Sequence, residues 1–137
     1  MKRHYYCPSC NATLNPNVKV ILTAVKDRSH GLILLSPQPG NYEVIAAEEL
    51  NLRSGDLLEL RCPACGKSLA SRVNDNLAEI GFRLSNGLDG RAAFSRRVGE
   101  HATFFITSEE VRSYGENADT YSTLNFFGAG EVESRDP

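Results

Sequence analysis

The sequence contains no apolar run near the roughly 18 residues that suggest a membrane span, and so reads as a chain with no membrane role. The basic start, Met1-Lys2-Arg3-His4-Tyr5-Tyr6, is followed by no apolar stretch and does not have the form of a secretory signal. A reducing cytoplasm is the location these two absences point to. There is no phosphate-cradling glycine loop, no nucleophile elbow and no metalloprotease histidine pair. A large excess of charge is missing too: the formal net charge is −2, which argues against a general polyanion binder. The small imbalance is uneven, with 13 basic and 10 acidic groups in residues 1–107 against 2 basic and 7 acidic groups in residues 108–137. Cysteine is scarce, with four in 137 residues, and the placing of those four carries most of the information.

The cysteines form two pairs, Cys7-Pro8-Ser9-Cys10 and Cys62-Pro63-Ala64-Cys65-Gly66. A tight turn carrying two thiolates can aim both at one ion while turn N–H groups donate to the sulfurs. Proline after the first cysteine fixes φ and stiffens the turn. Gly66 suits the position after the second, where the chain often needs positive φ. Two such turns supply Cys7, Cys10, Cys62 and Cys65 as a closed tetrahedral S₄ set, the ligand set of a structural zinc. The flanks repeat as well, with Leu14 and Leu69 at the same offset from their knuckles.

These residues resemble the paired knuckles of zinc-ribbon proteins, and the resemblance is confined to the knuckles. Its departure is the spacing: 51 residues separate the pairs, against roughly 15–20 in the usual pattern. Closing a threefold longer loop costs only about 1 kcal/mol more, small beside the roughly 10–16 kcal/mol of structural zinc binding. The intervening chain must therefore fold around the ion. A rubredoxin-like iron centre shares the S₄ geometry, although the first knuckle has Asn11 where such a centre usually has Gly. Two disulfides would need an oxidising compartment, and a thioredoxin-type pair would need a βαβ context that is absent.

The rest of the chain reads as short strands. Residues 18–25, 32–35, 42–46 and 57–61 fit strands in the first part, with Asp27–Gly31 turning the chain and residues 47–52 forming a helical turn. Residues 32–35, apolar on both faces, fit a central strand. In the second part Ala78, Ile80, Phe82 and Leu84 alternate as the buried face of a strand. Asn86–Gly90 marks a hairpin turn, and residues 91–98 and 102–106 are further strands. Thr107 and Glu110 have capping-box spacing, which predicts a short helix ended by Gly115. The expected fold is mainly β, a small α+β domain built as a zinc-ribbon-like double knuckle with antiparallel hairpins and short helices. The expected domain spans 1–114, with possible pseudo-repeats 1–56 and 57–114. An acidic tail, 115–137, is expected to be partly ordered, with Tyr121, Leu124, Phe126 and Phe127 docking and 128–137 loose.

Other chemistry is thin. His4 lies near the first knuckle, and His30 sits in a turn. Glu100-His101 is the best acid–base pair, but neighbours on a strand face opposite ways. Arg83, Arg91, Arg96 and Arg97 form a basic stretch with Phe94 nearby, a candidate contact for nucleic acid or an acidic partner. The functional expectation is a zinc-stapled accessory or interaction module with a protein partner. Nucleic-acid binding through those arginines and electron transfer through an iron centre are the alternatives. Nothing calls for a small-molecule substrate, and the closed thiolate shell argues against an enzyme.

Overall fold

The computed structural model describes residues 3–121, 124 and 126. Among the described residues nine strands form two antiparallel sheets. They are β1 (Arg3–Tyr6), β2 (Val20–Lys26), β3 (Ser29–Leu35), β4 (Val44–Ala46), β5 (Glu59–Arg61), β6 (Leu77–Leu84), β7 (Asp89–Ser95), β8 (Thr103–Ile106) and β9 (Val111–Tyr114). The four-stranded sheet runs β4-β3-β2-β5 and the five-stranded sheet β1-β6-β7-β8-β9. The fold is mainly β, as the alternating pattern predicts. The helical content of the described residues is two single 3₁₀ turns, Glu48–Leu50 and Ala118–Tyr121.

Each sheet is a hairpin series plus one strand from elsewhere. In the first, Val20, Leu22 and Ala24 point inward at alternate positions of β2 and are buried. The β2–β3 turn is tighter than Asp27–Gly31: Lys26 already pairs with Ser29, and Asp27 takes φ 55° to close it. β3 is flanked by β2 and β4. Its Ile33 is buried while Leu32 on the other side is 53% exposed, so apolar composition on both faces does not mean cover on both faces. In the second sheet Ala78, Ile80 and Phe82 are the inward residues of β6, with Leu84 half-buried beside them.

The predicted helix after Thr107 is a hairpin turn. Thr107 Oγ1 accepts from the N–H groups of Glu109 and Glu110, each at 3.3 Å, as a helix cap would. The Thr107 N–H, however, donates to Glu110 O at 3.0 Å, and Val111 pairs back onto Ile106 to start β9.

The inner faces of the sheets meet in one core that includes Leu22, Ile33, Leu60, Ile80, Phe82 and Phe105. Phe82 and Phe105 meet edge to face, 5.2 Å between centroids. A second core lies outside the five-stranded sheet, where Leu77, Ala93, Phe104 and Ile106 are covered by Ala118, Tyr121 and Phe126, with Leu124 packed alongside. The expectations for Phe127 and for residues 128–137 fall outside the described residues.

The feature that positions the site is an exchange between sheets. β1, which leads into the first knuckle, pairs with β6, and β5, which leads into the second, pairs with β2. Each knuckle thus hangs from a strand held by the other half's hairpin. Leu14 N–H donates to Tyr5 O and Leu69 N–H to Leu60 O, both at 2.8 Å, closing each knuckle onto its leading strand in the same way. Both leucines are buried in the core.

Candidate metal centre

The two knuckles have matching backbones. Cys7 N–H donates to Ala12 O at 3.0 Å and Asn11 N–H to Cys7 O at 2.8 Å. The counterparts are Cys62 N–H to Lys67 O at 3.1 Å and Gly66 N–H to Cys62 O at 2.9 Å. Asn11 and Gly66 sit at φ 64° and 78°, the left-handed turn that lets the second cysteine face the first. Asparagine tolerates that conformation better than most side chains, so Asn11 performs the task that glycine performs in the second knuckle. The N–H groups of Ser9 and Ala64 point at the sulfurs of Cys7 and Cys62, each at 3.3 Å.

Each knuckle's first sulfur faces the other's second. Cys7 Sγ lies 3.8 Å from Cys65 Sγ, and Cys10 Sγ lies 3.8 Å from Cys62 Sγ. All four ligand atoms fall within 4.8 Å of one another. A tetrahedron with metal–sulfur bonds of about 2.3 Å has edges of about 3.8 Å, so the four thiols fit one ion. A disulfide needs about 2.05 Å between sulfurs, and all four cysteines are free thiols. Cys7 and Cys62 are buried while Cys10 and Cys65 are exposed, which places the cluster at the surface with half of its ligands rooted in the core.

The electrostatics favour a cation. Burial opposes ionisation of Cys62, but the N–H groups of Cys65 and Ala64 and the thiols of Cys7 and Cys10 outweigh it and bring the group down to about 7. Cys10 moves the other way, to about 11: a backbone hydrogen bond with Ala12 lowers it, and burial together with the three other thiols overrides that. A divalent cation is what favours the fully deprotonated set.

The remaining candidates are scattered. His4 is exposed on β1, stacked against Tyr6 at 5.9 Å, and is not in the thiol cluster. His30 is exposed on β3. Glu100 accepts from Ser95 Oγ at 2.6 Å and from Tyr121 OH at 2.5 Å, and burial together with this carboxylate pushes the Tyr121 phenol up to about 12. The His101 ring instead stacks on Tyr42 at 4.4 Å. The two neighbours thus engage different partners.

The four arginines also have separate surroundings. Arg91 pairs with Glu79 at 2.8 Å and donates to Phe126 O. Arg96 donates to Leu58 O at 2.8 Å and to Asp75 O. Arg97 donates to Gly55 O at 2.9 Å and to Asn76 Oδ1 at 3.2 Å. Arg83, with about half its side chain exposed, lies over the Tyr6 ring at 5.0 Å and 3.9 Å from Asp89.

Two roles are invisible in residue patterns. Asn15 reads as a turn residue, yet its side chain accepts from Tyr5 N–H and donates to Arg3 O, both at 2.9 Å, and so tethers β1. Tyr42 carries no motif, yet its hydroxyl bridges Thr103 Oγ1 and Tyr114 O across to the other sheet. No helix among the described residues is long and apolar enough to cross a membrane. The chain matches no family model, no curated protein and no solved structure.

Proposed function

We propose that this chain is an interaction module stapled by one structural zinc ion, working in a reducing compartment and offering a sheet face to a protein partner. The metal role rests on the donor set: four thiolates fill a tetrahedral shell and leave no position for substrate. A bound ion would supply the cross-link between β1 and β5, the two exchanged strands, and so hold the sheets together at one end. Four metal-binding thiols suit a compartment that keeps cysteine reduced. Zinc is preferred to iron because the proposed task needs no redox change. A colourless protein containing zinc by elemental analysis is expected, and a coloured iron protein would reject the choice.

The observation that carries the interaction role is an asymmetry between the two outer faces. The outer face of the five-stranded sheet is covered by the second core. On the four-stranded sheet, Ile21, Leu34 and Ile45 lie in register across β2, β3 and β4. Leu32 is on the same side, and Leu32 and Ile45 are each more than half exposed. Contiguous exposed apolar surface of this kind marks interaction sites. A photo-cross-linking residue at position 32 is expected to capture a protein partner in cells, and the same residue at position 112 on β9 is not. Equal capture at both positions, or at neither, would remove the reading. Of the four arginines in the 83–97 stretch, Arg91, Arg96 and Arg97 serve internal acceptors, which leaves Arg83 as the open contact of that face. Affinity that falls steeply with salt would be needed to revive nucleic-acid binding.

The same reading takes residues 1–114 as the domain, with Ala118, Tyr121 and Phe126 docked on it, and the halves 1–56 and 57–114 as copies of one unit. What supports it is the shared order of knuckle strand followed by hairpin strands, the matching knuckle hydrogen bonds and the reciprocal exchange of β1 and β5.

A further inference from the structure

The two sheets do not close against each other at every point. Between their inner faces lies a cavity of about 200 Å³, walled by Val20, Ile33, Leu60, Ile80, Ala92 and Phe105. Its open end is framed by the β3–β4 connection on one side and by the β7–β8 connection on the other. This frame is built from specific bonds. Tyr5 OH donates to Pro37 O at 2.7 Å, and the Tyr42 hydroxyl bonds Thr103 Oγ1 at 2.9 Å and Tyr114 O at 3.0 Å. Two tyrosines thus tie the β3–β4 connection across the gap to the five-stranded sheet and hold the mouth in a defined shape.

We propose that this cavity is a binding site for a small, neutral aromatic molecule of one or two rings carrying a single hydrogen-bonding group. Size sets the upper and lower bounds. An apolar cavity of roughly 150 Å³ takes benzene, whereas sites for drug-sized ligands begin near roughly 300 Å³. Electrostatics sets neutrality. Arg96 and Arg97 at the rim donate to main-chain carbonyls and Asn76, and Glu100 accepts from Ser95 and Tyr121; the remaining charged lining residue, Glu43, is an exposed carboxylate that would repel an anion. No unmatched cation remains there, among the described residues, to hold a carboxylate or phosphate. The polar contact comes from His101. His101 is among the residues lining the cavity, and its ring stacks on Tyr42 with the planes 7° apart. The side-chain bond made at this residue uses the backbone N–H, on Asn117 Oδ1 at 2.9 Å, leaving the ring nitrogens free of partners among the described residues.

The test uses the metal-loaded full chain, with methyl NMR and three probes: indole, benzene and benzoate. Indole is expected to shift the methyls of Val20, Ile33, Leu60 and Ile80 saturably and to leave Leu32 on the outer face unmoved. Benzoate is expected to bind at least about tenfold more weakly, since its charge would enter unpaired. His101→Phe keeps the stack and removes the nitrogens, so it should weaken indole several-fold and leave benzene unchanged. Ala92→Leu should fill the space, abolish both sets of shifts and raise the melting temperature; if it fails to fold, the His101→Phe comparison still decides. Unsaturable or surface-wide shifts with indole would overturn the site. Benzoate binding as tightly as indole would overturn the neutral ligand class, and equal losses for indole and benzene in His101→Phe would overturn the role of His101.

Discussion

Asn11 and Gly66 hold the same left-handed turn with different side chains, and this makes the two knuckles a matched pair for mutation. At φ near 60° a side chain with a Cβ costs about 1–2 kcal/mol, and a β-branched one more. Asn11→Gly is therefore expected to leave denaturant stability within a few tenths of a kcal/mol, and Gly66→Val to lower it by at least about 1–2 kcal/mol. Equal effects of the two substitutions would show that stability does not depend on the left-handed conformation at these turns. Tyr5 gives a second residue-scale test. Burial pushes its phenol up from 10.0 to about 12. The unfolded phenol ionises near 10 and the folded one only near 12, so rising pH stabilises the unfolded state first. The Tyr5 contribution is fully present below pH about 10 and is lost between about 10 and 12, by roughly 2–3 kcal/mol. Tyr5→Phe should flatten that part of the stability profile. An unchanged alkaline slope would mean that Tyr5 does not resist ionisation in the fold. The C-P-x-C spacing was legible from sequence because ligand convergence within a knuckle is a local property of four residues. The tethering roles of Asn15 and Tyr42 were not legible, because their partners lie on strands whose proximity no local pattern encodes.

At the scale of elements, β2 and β3 show how a period of two sorts residues that look alike in sequence. Leu22 is fully buried between the sheets, and Leu32 on the adjacent strand faces outward. Leu22→Ala is expected to cost about 2–5 kcal/mol, while Leu32→Ala should stay within about 0.5 kcal/mol. Thermal or urea unfolding of the two variants measures both, and similar losses would mean that the outer face is covered. Most strands were legible because alternation is a direct consequence of the pleat. The segment after Thr107 departs from the helix its spacing predicts for a physical reason. A threonine hydroxyl accepting from the two following N–H groups starts a helix or closes a hairpin turn equally well. What decides is whether the next residues find a strand edge, and Val111–Tyr114 find β8. The basic stretch misleads in a related way, since strand parity says which face an arginine leaves from but not which carbonyl it reaches. Arg96 and Arg97 reach Leu58 and Gly55, about 40 positions earlier in the chain.

For the whole molecule, the exchange of β1 and β5 is the organising fact. It lets two distant turns meet, and it makes the junction of the sheets depend on what holds the sulfurs. Structural zinc contributes about 10–16 kcal/mol, as much as the entire net stability of a typical domain, about 5–15 kcal/mol. A strong chelator is therefore expected to unfold much of the chain, seen as loss of near-ultraviolet circular dichroism and of slowly exchanging amides. Cys62→Ser should leave the protein largely insoluble. A Cys62→Ser protein with native stability would make the ion incidental. The exchange itself could not be seen in the sequence, where Arg3–Tyr6 shows no strand pattern and Glu59–Arg61 reads only as a short strand leading into its knuckle. Pairing across the halves is a property of the assembled core, in which Tyr5 and Leu60 are buried together.

The most direct measurement is X-ray absorption at the metal edge of the purified protein, combined with metal content per chain. One ion per chain, surrounded by four sulfurs at about 2.3 Å with no oxygen or nitrogen neighbour, is the expected result. A shell containing water or nitrogen, fewer than four sulfurs, or a separate ion at each knuckle would contradict a single closed centre joining the two halves.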